Sequence, residues 1–110
     1  MWFILRDYDI KEVQRILKSQ DSQSITPVNH VLDNWFERDY NLNYVNDCLI
    51  NEIPFGINKT SENRFKLIYP HEKINTLDLY IIIEIDDFEQ VSIITVYSFD
   101  KRRREREKER

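Results

Sequence analysis

A chain of 110 residues, 41% hydrophobic and 33% charged, has the size and composition of one globular domain that buries a single core, which excludes a disordered chain. No apolar run reaches the length of a membrane span, and the opening MWFILRDYDI has neither a basic head nor a cleavage site, so the expected setting is the cytoplasm. The net charge of −4 is split: KRRREREKER, residues 101–110, holds seven basic and three acidic residues, and residues 1–100 hold nine basic and seventeen acidic ones. An acidic body does not grip nucleic acid by bulk charge, so any RNA contact has to be local and helped by the tail.

In chain order, DIKEVQRILKS comes first. Asp9 caps a helix, Glu12 completes a capping-box pattern, and Ile10, Val13 and Leu17 share a face, which predicts a helix over about 10–19. SQDSQSITP is polar and ends in proline, so it reads as a loop. Val28, Val31, Leu32, Trp35 and Phe36 then form an apolar stripe along a second helix. A short third helix is expected from Asn41 or Asn43, burying Tyr44, Val45, Cys48 and Leu49.

From Ile53 the period changes to two. IPFGINKT places Ile53, Phe55 and Ile57 on one side, and RFKLIYP groups Phe65, Leu67 and Tyr69. TLDLYIIIEI alternates Leu77 to Ile85 against Asp78 to Asp86, and VSIITVYSF is rich in branched residues. Short polar connectors make a meander the simplest topology, with DDFEQ joining the last two strands as a hairpin. The tail is a solvated helix or a disordered segment. The fold class is therefore α+β: N-terminal helices packed on one face of a four-stranded, mostly antiparallel sheet, with a basic C-terminal tail. Residues 1–110 make one domain, divided into an extension over 1–24, a core over 25–100 and the tail over 101–110.

Several chemistries have little to stand on. Cys48 is alone, so neither an internal disulfide nor a cysteine-based metal cluster can form. His30 and His71 sit in different kinds of element, and the acidic EIDD reads as a solvated turn before it reads as a metal site. A single glycine excludes a glycine-rich phosphate cradle. By periodicity alone His30 lies on the helix side away from the Trp35 and Phe36 stripe, and Arg38 comes two turns later and somewhat around the helix, with Glu37 between them in angle. Lys66 and Arg64 alternate with Phe65 and Leu67, and so point away from that apolar row. Each of these has a plain reading as a solvated face, and each tyrosine as core-edge packing with a wet hydroxyl. A sheet face offering lysine, tyrosine and arginine is also what a metal-free ribonuclease needs: groups to move two protons and cations to hold a phosphate.

The stretch NHVLDNWFERDYNLNYVNDCL, residues 29–49, resembles the signature of small BrnT-like toxins and of the largely uncharacterised bacterial and archaeal domain family allied to them. In that signature a histidine opens a helix, an ER pair closes it, and a polar turn starts a second helix with a valine and a leucine. His30, Glu37 with Arg38, and Val45 with Leu49 match these positions. RFKLIYPH and VSIITVYSFDKRRR resemble the family's substrate-bearing strand and its final strand, so the likeness spans roughly residues 25–104. It implies a RelE-like fold and a messenger-RNA endoribonuclease of a toxin–antitoxin pair, working without metal or cofactor by attack of the ribose 2′-hydroxyl on the adjacent phosphate. It implies RNA or the ribosome as substrate and an antitoxin protein as partner. Carried over to this sequence, His30, Lys66 and Tyr97 are the catalytic candidates, and Arg38, Arg102 and Arg103 bind phosphate. Residues 1–24 extend beyond the family pattern, and the acidic body departs from the basic character of RNA-cleaving toxins. The alternative on the same scaffold is a non-catalytic protein-interaction or RNA-binding module.

Overall fold

The computed structural model describes residues 7–21, 23–29, 31 and 40–103. Helix α1, Ile10–Ser19, starts as its sequence dictates: Asp9 Oδ1 accepts from the Glu12 backbone N–H at 2.8 Å, and the Glu12 carboxylate accepts from the Asp9 N–H at 3.4 Å. Its buried side is Val13, Ile16 and Leu17; Ile10, expected on that face, is exposed at the first turn, and Ile16 takes its place in the core. Helix α2, Leu42–Asn51, is capped by Asn41, whose side chain accepts from the Asn43 N–H at 2.9 Å, and it buries Val45, Cys48 and Leu49. The stripe expected over Leu32, Trp35 and Phe36 lies outside the described residues, whereas Val31 is buried in the core.

The strands are β1 Ile25–Pro27, β2 Gly56–Lys59, β3 Arg64–Pro70, β4 Leu77–Ile85 and β5 Val91–Asp100. They form one mixed sheet in the order β1-β5-β4-β3-β2. The antiparallel meander from β2 to β5 is present, with Gly56 opposite Ile68, Leu67 opposite Ile81 and Tyr80 opposite Tyr97. The architecture is α+β, but the sheet has five strands and is mixed, not four-stranded and mostly antiparallel. The added strand is β1, which lies parallel to β5 with Ile25 opposite Val91. Three residues ending in proline leave little periodicity to read, and a proline is tolerated there because β1 is an edge. The first expected strand is also shorter. Ile53 and Phe55 are exposed at 77% and 46%, and the strand begins only at Gly56, after a single Phe55 N–H bond to the Ile68 carbonyl at 2.7 Å.

One sheet face carries the core. Phe65, Leu67 and Tyr69 of β3, Leu79, Ile81, Ile83 and Ile85 of β4, and Val91, Ile93 and Val96 of β5 pack with the buried sides of α1 and α2. At roughly 1.5–3 kcal/mol per large apolar side chain removed from water, this layer is the main stabilising term. Ile68 and Tyr80 are buried too, but they stand on the opposite face of β3 and β4. Among the described residues no helix is long and apolar enough to cross a membrane.

The course of β5 decides what that second face presents. Ile83 pairs with Ile93, yet Ile82 pairs with Thr95, so Ile94 is an extra residue. A bulge of this kind reverses which alternate residues face inward. Before it Val91 and Ile93 point to the core; after it Val96 does, and Thr95, Tyr97 and Phe99 turn outward opposite Ile82, Tyr80 and Asp78. A strictly alternating β5 would have put Tyr97 and Phe99 on the same side as Ile93.

Candidate functional site

Two of the expected site residues, His30 and Arg38, lie outside the described residues, as does Glu37. The other four can be placed. Lys66 and Tyr97 share the outer sheet face, on β3 and β5, with Tyr80 of β4 between them. The Lys66 ammonium is 5.6 Å from the centroid of the Tyr80 ring, within cation–π range. The Tyr80 and Tyr97 rings are 5.2 Å apart and tilted by 35°. Phe99 stands edge-on to both, at 5.6 Å from Tyr80 and 5.3 Å from Tyr97. These spacings are those of favourable aromatic pairs. Lys66 and Tyr97 are half-buried and Phe99 is 40% exposed, whereas Tyr80 has no exposed surface. Tyr80 thus forms the floor of the cluster, and Phe99 and Tyr97 form its accessible part.

Arg102 and Arg103 follow β5 directly and are exposed. Arg103 lays its guanidinium 4.2 Å over the Phe99 ring, which joins it to the same cluster. Arg102 is turned to Asp100: Nε reaches Oδ1 at 3.1 Å and a terminal nitrogen reaches Oδ2 at 3.0 Å. Its fork is engaged by a carboxylate of its own chain. An exposed pair of this type is worth only about 0–1 kcal/mol, so a phosphate can compete for it. Arg64, on the same face as Lys66, is also engaged, by Glu84 directly opposite at 2.7 Å.

The sheet therefore brings Lys66, Tyr97 and Arg103 together through Tyr80 and Phe99. Tyr80 counts in the sequence only as one of several scattered tyrosines, and Phe99 carries no functional signal there. Their role depends on cross-strand register, which the bulge at Ile94 sets. His71 does not join the cluster. It is buried, and its Nδ1 accepts from the Lys73 and Ile74 N–H groups at 3.1 Å each, tying down the connection between β3 and β4.

Electrostatic perturbation is concentrated elsewhere, under α2. The Tyr44 hydroxyl donates to the Pro70 carbonyl at 2.6 Å. Burial, then the neighbouring Cys48, hold the Tyr44 phenol above its ordinary range. Burial pushes the Cys48 thiol up to about 11, with the charges of Asp47, Glu52 and Glu72 adding to it and the Tyr44 hydrogen bond opposing. Burial likewise raises the Tyr69 phenol, and its hydroxyl has no hydrogen-bond partner among the described residues. A thiol kept protonated in apolar surroundings is inert, which leaves the outer sheet face as the candidate site. Set beside protein-family models, curated proteins and solved structures, the chain matches none.

Proposed function

We propose that the outer sheet face binds single-stranded RNA and that the protein is a RelE/BrnT-like, metal-independent endoribonuclease of the toxin–antitoxin kind. The observation that supports this reading is the contiguity of Lys66, Tyr80 and Tyr97, with ring and cation spacings of 5.2 and 5.6 Å. Aromatic rings accept unpaired bases by stacking, at roughly 1–3 kcal/mol per base, and cations beside them hold the backbone. In the reaction a ribose 2′-hydroxyl loses its proton to a base and attacks the adjacent phosphorus. The 5′-oxygen leaves and takes a proton, giving a 2′,3′-cyclic phosphate and a 5′-hydroxyl. Tyr97 supplies the proton to the leaving oxygen, Lys66 offsets the charge gathering on the phosphate, and Arg103, with Arg102 released from Asp100, holds the flanking phosphate. The resemblance names His30 beside Tyr97 as a group that moves protons, which leaves the 2′-hydroxyl proton to His30 in this scheme, and it gives a further phosphate contact to Arg38.

The test is incubation of purified protein with unstructured RNA and with translated messenger RNA, with and without ribosomes, at low salt. Cyclic-phosphate ends that disappear in Lys66→Ala and Tyr97→Phe support the assignment. Intact RNA under all these conditions rejects the nuclease.

The uneven charge supports a second reading, an RNA-binding or protein-interaction module without cleavage. The −8 carried by residues 1–100 opposes RNA, so affinity would come from residues 101–110 and be strongly salt-dependent. Removing those ten residues should then abolish RNA binding and flatten its salt slope. A truncated chain that still binds RNA would relocate the contact to the sheet alone.

A further inference from the structure

The C-terminal halves of α1 and α2 meet the β2 edge of the sheet around an open cleft of 140 Å³. Its lining changes character with depth. Leu17, Leu49, Leu67 and Tyr69, all buried, make an apolar floor. Gln14 and Lys18 from α1, with Glu52 and Ile53 from the end of α2, are exposed and make the rim. An apolar floor under a few polar groups is the common build of a small-molecule site.

The two rim charges are opposite in sign and unused. Among the described residues neither Lys18 nor Glu52 enters an ion pair or a side-chain hydrogen bond, whereas Arg15, Lys59 and Arg64 each meet a carboxylate. The two helix ends also differ. Lys18 stands in the last turn of α1, where a cation suits the negative end of the helix. The last turn of α2 has no basic residue, and Glu52 at its C-cap adds a further negative charge. That charge is felt in the wall of the cleft. After burial, the largest cause in each case, Glu52 helps to raise the Tyr44 and Tyr69 phenols and the Cys48 thiol. Tyr69, on the floor, also keeps a buried hydroxyl without a hydrogen-bond partner.

These features select a ligand by exclusion. A simple amine suits Glu52 and the end of α2 but meets the Lys18 charge. A simple carboxylate suits Lys18 but meets Glu52. A wholly apolar molecule covers the floor and leaves both charges unanswered. A zwitterion with an apolar body satisfies all three, because charge-assisted contacts to each head group add to burial of the body. A cavity of about 150 Å³ holds benzene, so this volume admits an aliphatic side chain of leucine size with its head left at the open rim.

We infer that the cleft binds a free aliphatic α-amino acid, with its side chain on the leucine floor, its carboxylate at Lys18 and its ammonium between Glu52 and the C-terminal end of α2. The inference is independent of the RNA reading. Leu67 and Tyr69 face the helices, whereas Lys66 lies on the other side of β3.

The test is a titration of the isotope-labelled full chain with L-leucine, followed through its amide resonances. Saturable shifts are expected at Leu17, Leu49, Glu52 and Ile57, with millimolar or tighter affinity. Isocaproate lacks the ammonium, isoamylamine lacks the carboxylate and glycine lacks the side chain. Each should bind roughly tenfold more weakly or worse. Glu52→Gln should erase the preference for leucine over isocaproate, and Lys18→Gln the preference over isoamylamine. Both side chains are exposed, so neither change disturbs the core. Absence of saturable shifts up to the solubility limit of leucine overturns the inference. So does equal binding of isocaproate or isoamylamine by wild type, or survival of both preferences in the variants.

Discussion

Tyr97 lies directly opposite Tyr80 in the β4–β5 pairing, and the two rings are 5.2 Å apart on the sheet face away from the helices. The pairing joins a phenol on β5 to the lysine over the β4 ring, and it exists only because β5 contains one residue more than β4 needs.

On the proposed nuclease reading the hydroxyl and the ring of Tyr97 have separable roles. Tyr97→Phe keeps the ring contacts with Tyr80 and Phe99 and removes the proposed proton donor. It should lower RNA cleavage by roughly 100-fold or more with little change in RNA affinity, whereas Tyr97→Ala should weaken binding too. Single-turnover cleavage alongside filter binding separates the two. Equal loss of affinity in both variants would remove the phenol from the chemistry.

Deleting Ile94 should be severe. Without the extra residue, either Tyr97 and Phe99 rotate toward the core or Val91 and Ile93 rotate out of it. Two or more large side chains then change environment, at about 1.5–3 kcal/mol each, comparable with much of the stability of a domain this size. Circular dichroism and urea unfolding should show loss of the cooperative transition. A deletion variant that unfolds at the wild-type urea concentration would mean that the bulge does not set the register.

Cys48 gives the stability a defined alkaline limb. Its thiol is pushed from 9.0 to about 11 by burial first. In the unfolded chain it loses its proton near the ordinary value, so the contribution is fully present below pH 9.0 and is lost as pH rises through about 11. The full shift corresponds to roughly 2–3 kcal/mol. The raised Tyr44 and Tyr69 phenols deepen the loss at higher pH. Urea unfolding across this range should show a shallower decline for Cys48→Ala than for wild type. In native protein at neutral pH the thiol should resist alkylation and react only at the rate of unfolding; rapid labelling would contradict its burial.

Tyr69→Phe removes a buried hydroxyl that has no hydrogen-bond partner among the described residues. An orphaned buried polar group costs on the order of 1–3 kcal/mol, so the variant should be as stable as wild type or up to ~1 kcal/mol more stable. A marked fall in urea midpoint would instead reveal a hydrogen bond made through that hydroxyl.

At the other end of the core, Asp9→Ala opens the capping box. It should cost about 1 kcal/mol and lower the melting temperature by roughly 4–8 °C. Asp9→Asn, which still accepts from the Glu12 N–H, should recover most of the loss. Failure of asparagine to rescue would shift the effect from the hydrogen bond to the charge at the helix start.

The sequence alone was enough for whatever depends on neighbours along the chain. Asp9 and Glu12 marked the start of α1, Asn41 was one of two caps foreseen for α2, and the alternation in β3 and β4 put Lys66 on the face opposite Phe65. These are short-range effects, in which a side chain bonds to a backbone group a turn away or alternates with the pleat. The sequence also named Lys66, Tyr97 and Arg103 as candidates, by residue type and resemblance, without saying that two rings link them.

Tertiary structure alone decided the rest. β1 forms because β5 offers it a partner more than sixty residues later, and nothing local in Ile25–Pro27 requires a strand. Ile53 and Phe55 stay exposed although the Phe55 N–H already donates to the Ile68 carbonyl at 2.7 Å, because β2 joins the sheet at its edge and only from Gly56 as a strand. Tyr97 faces outward because Ile94 is left over when β5 is laid against β4. A strand's alternation is a property of its own residues, but the direction each residue faces is fixed by pairing with a second strand. Where the two counts differ by one, the inward and outward rows exchange, and no reading of β5 by itself contains that difference.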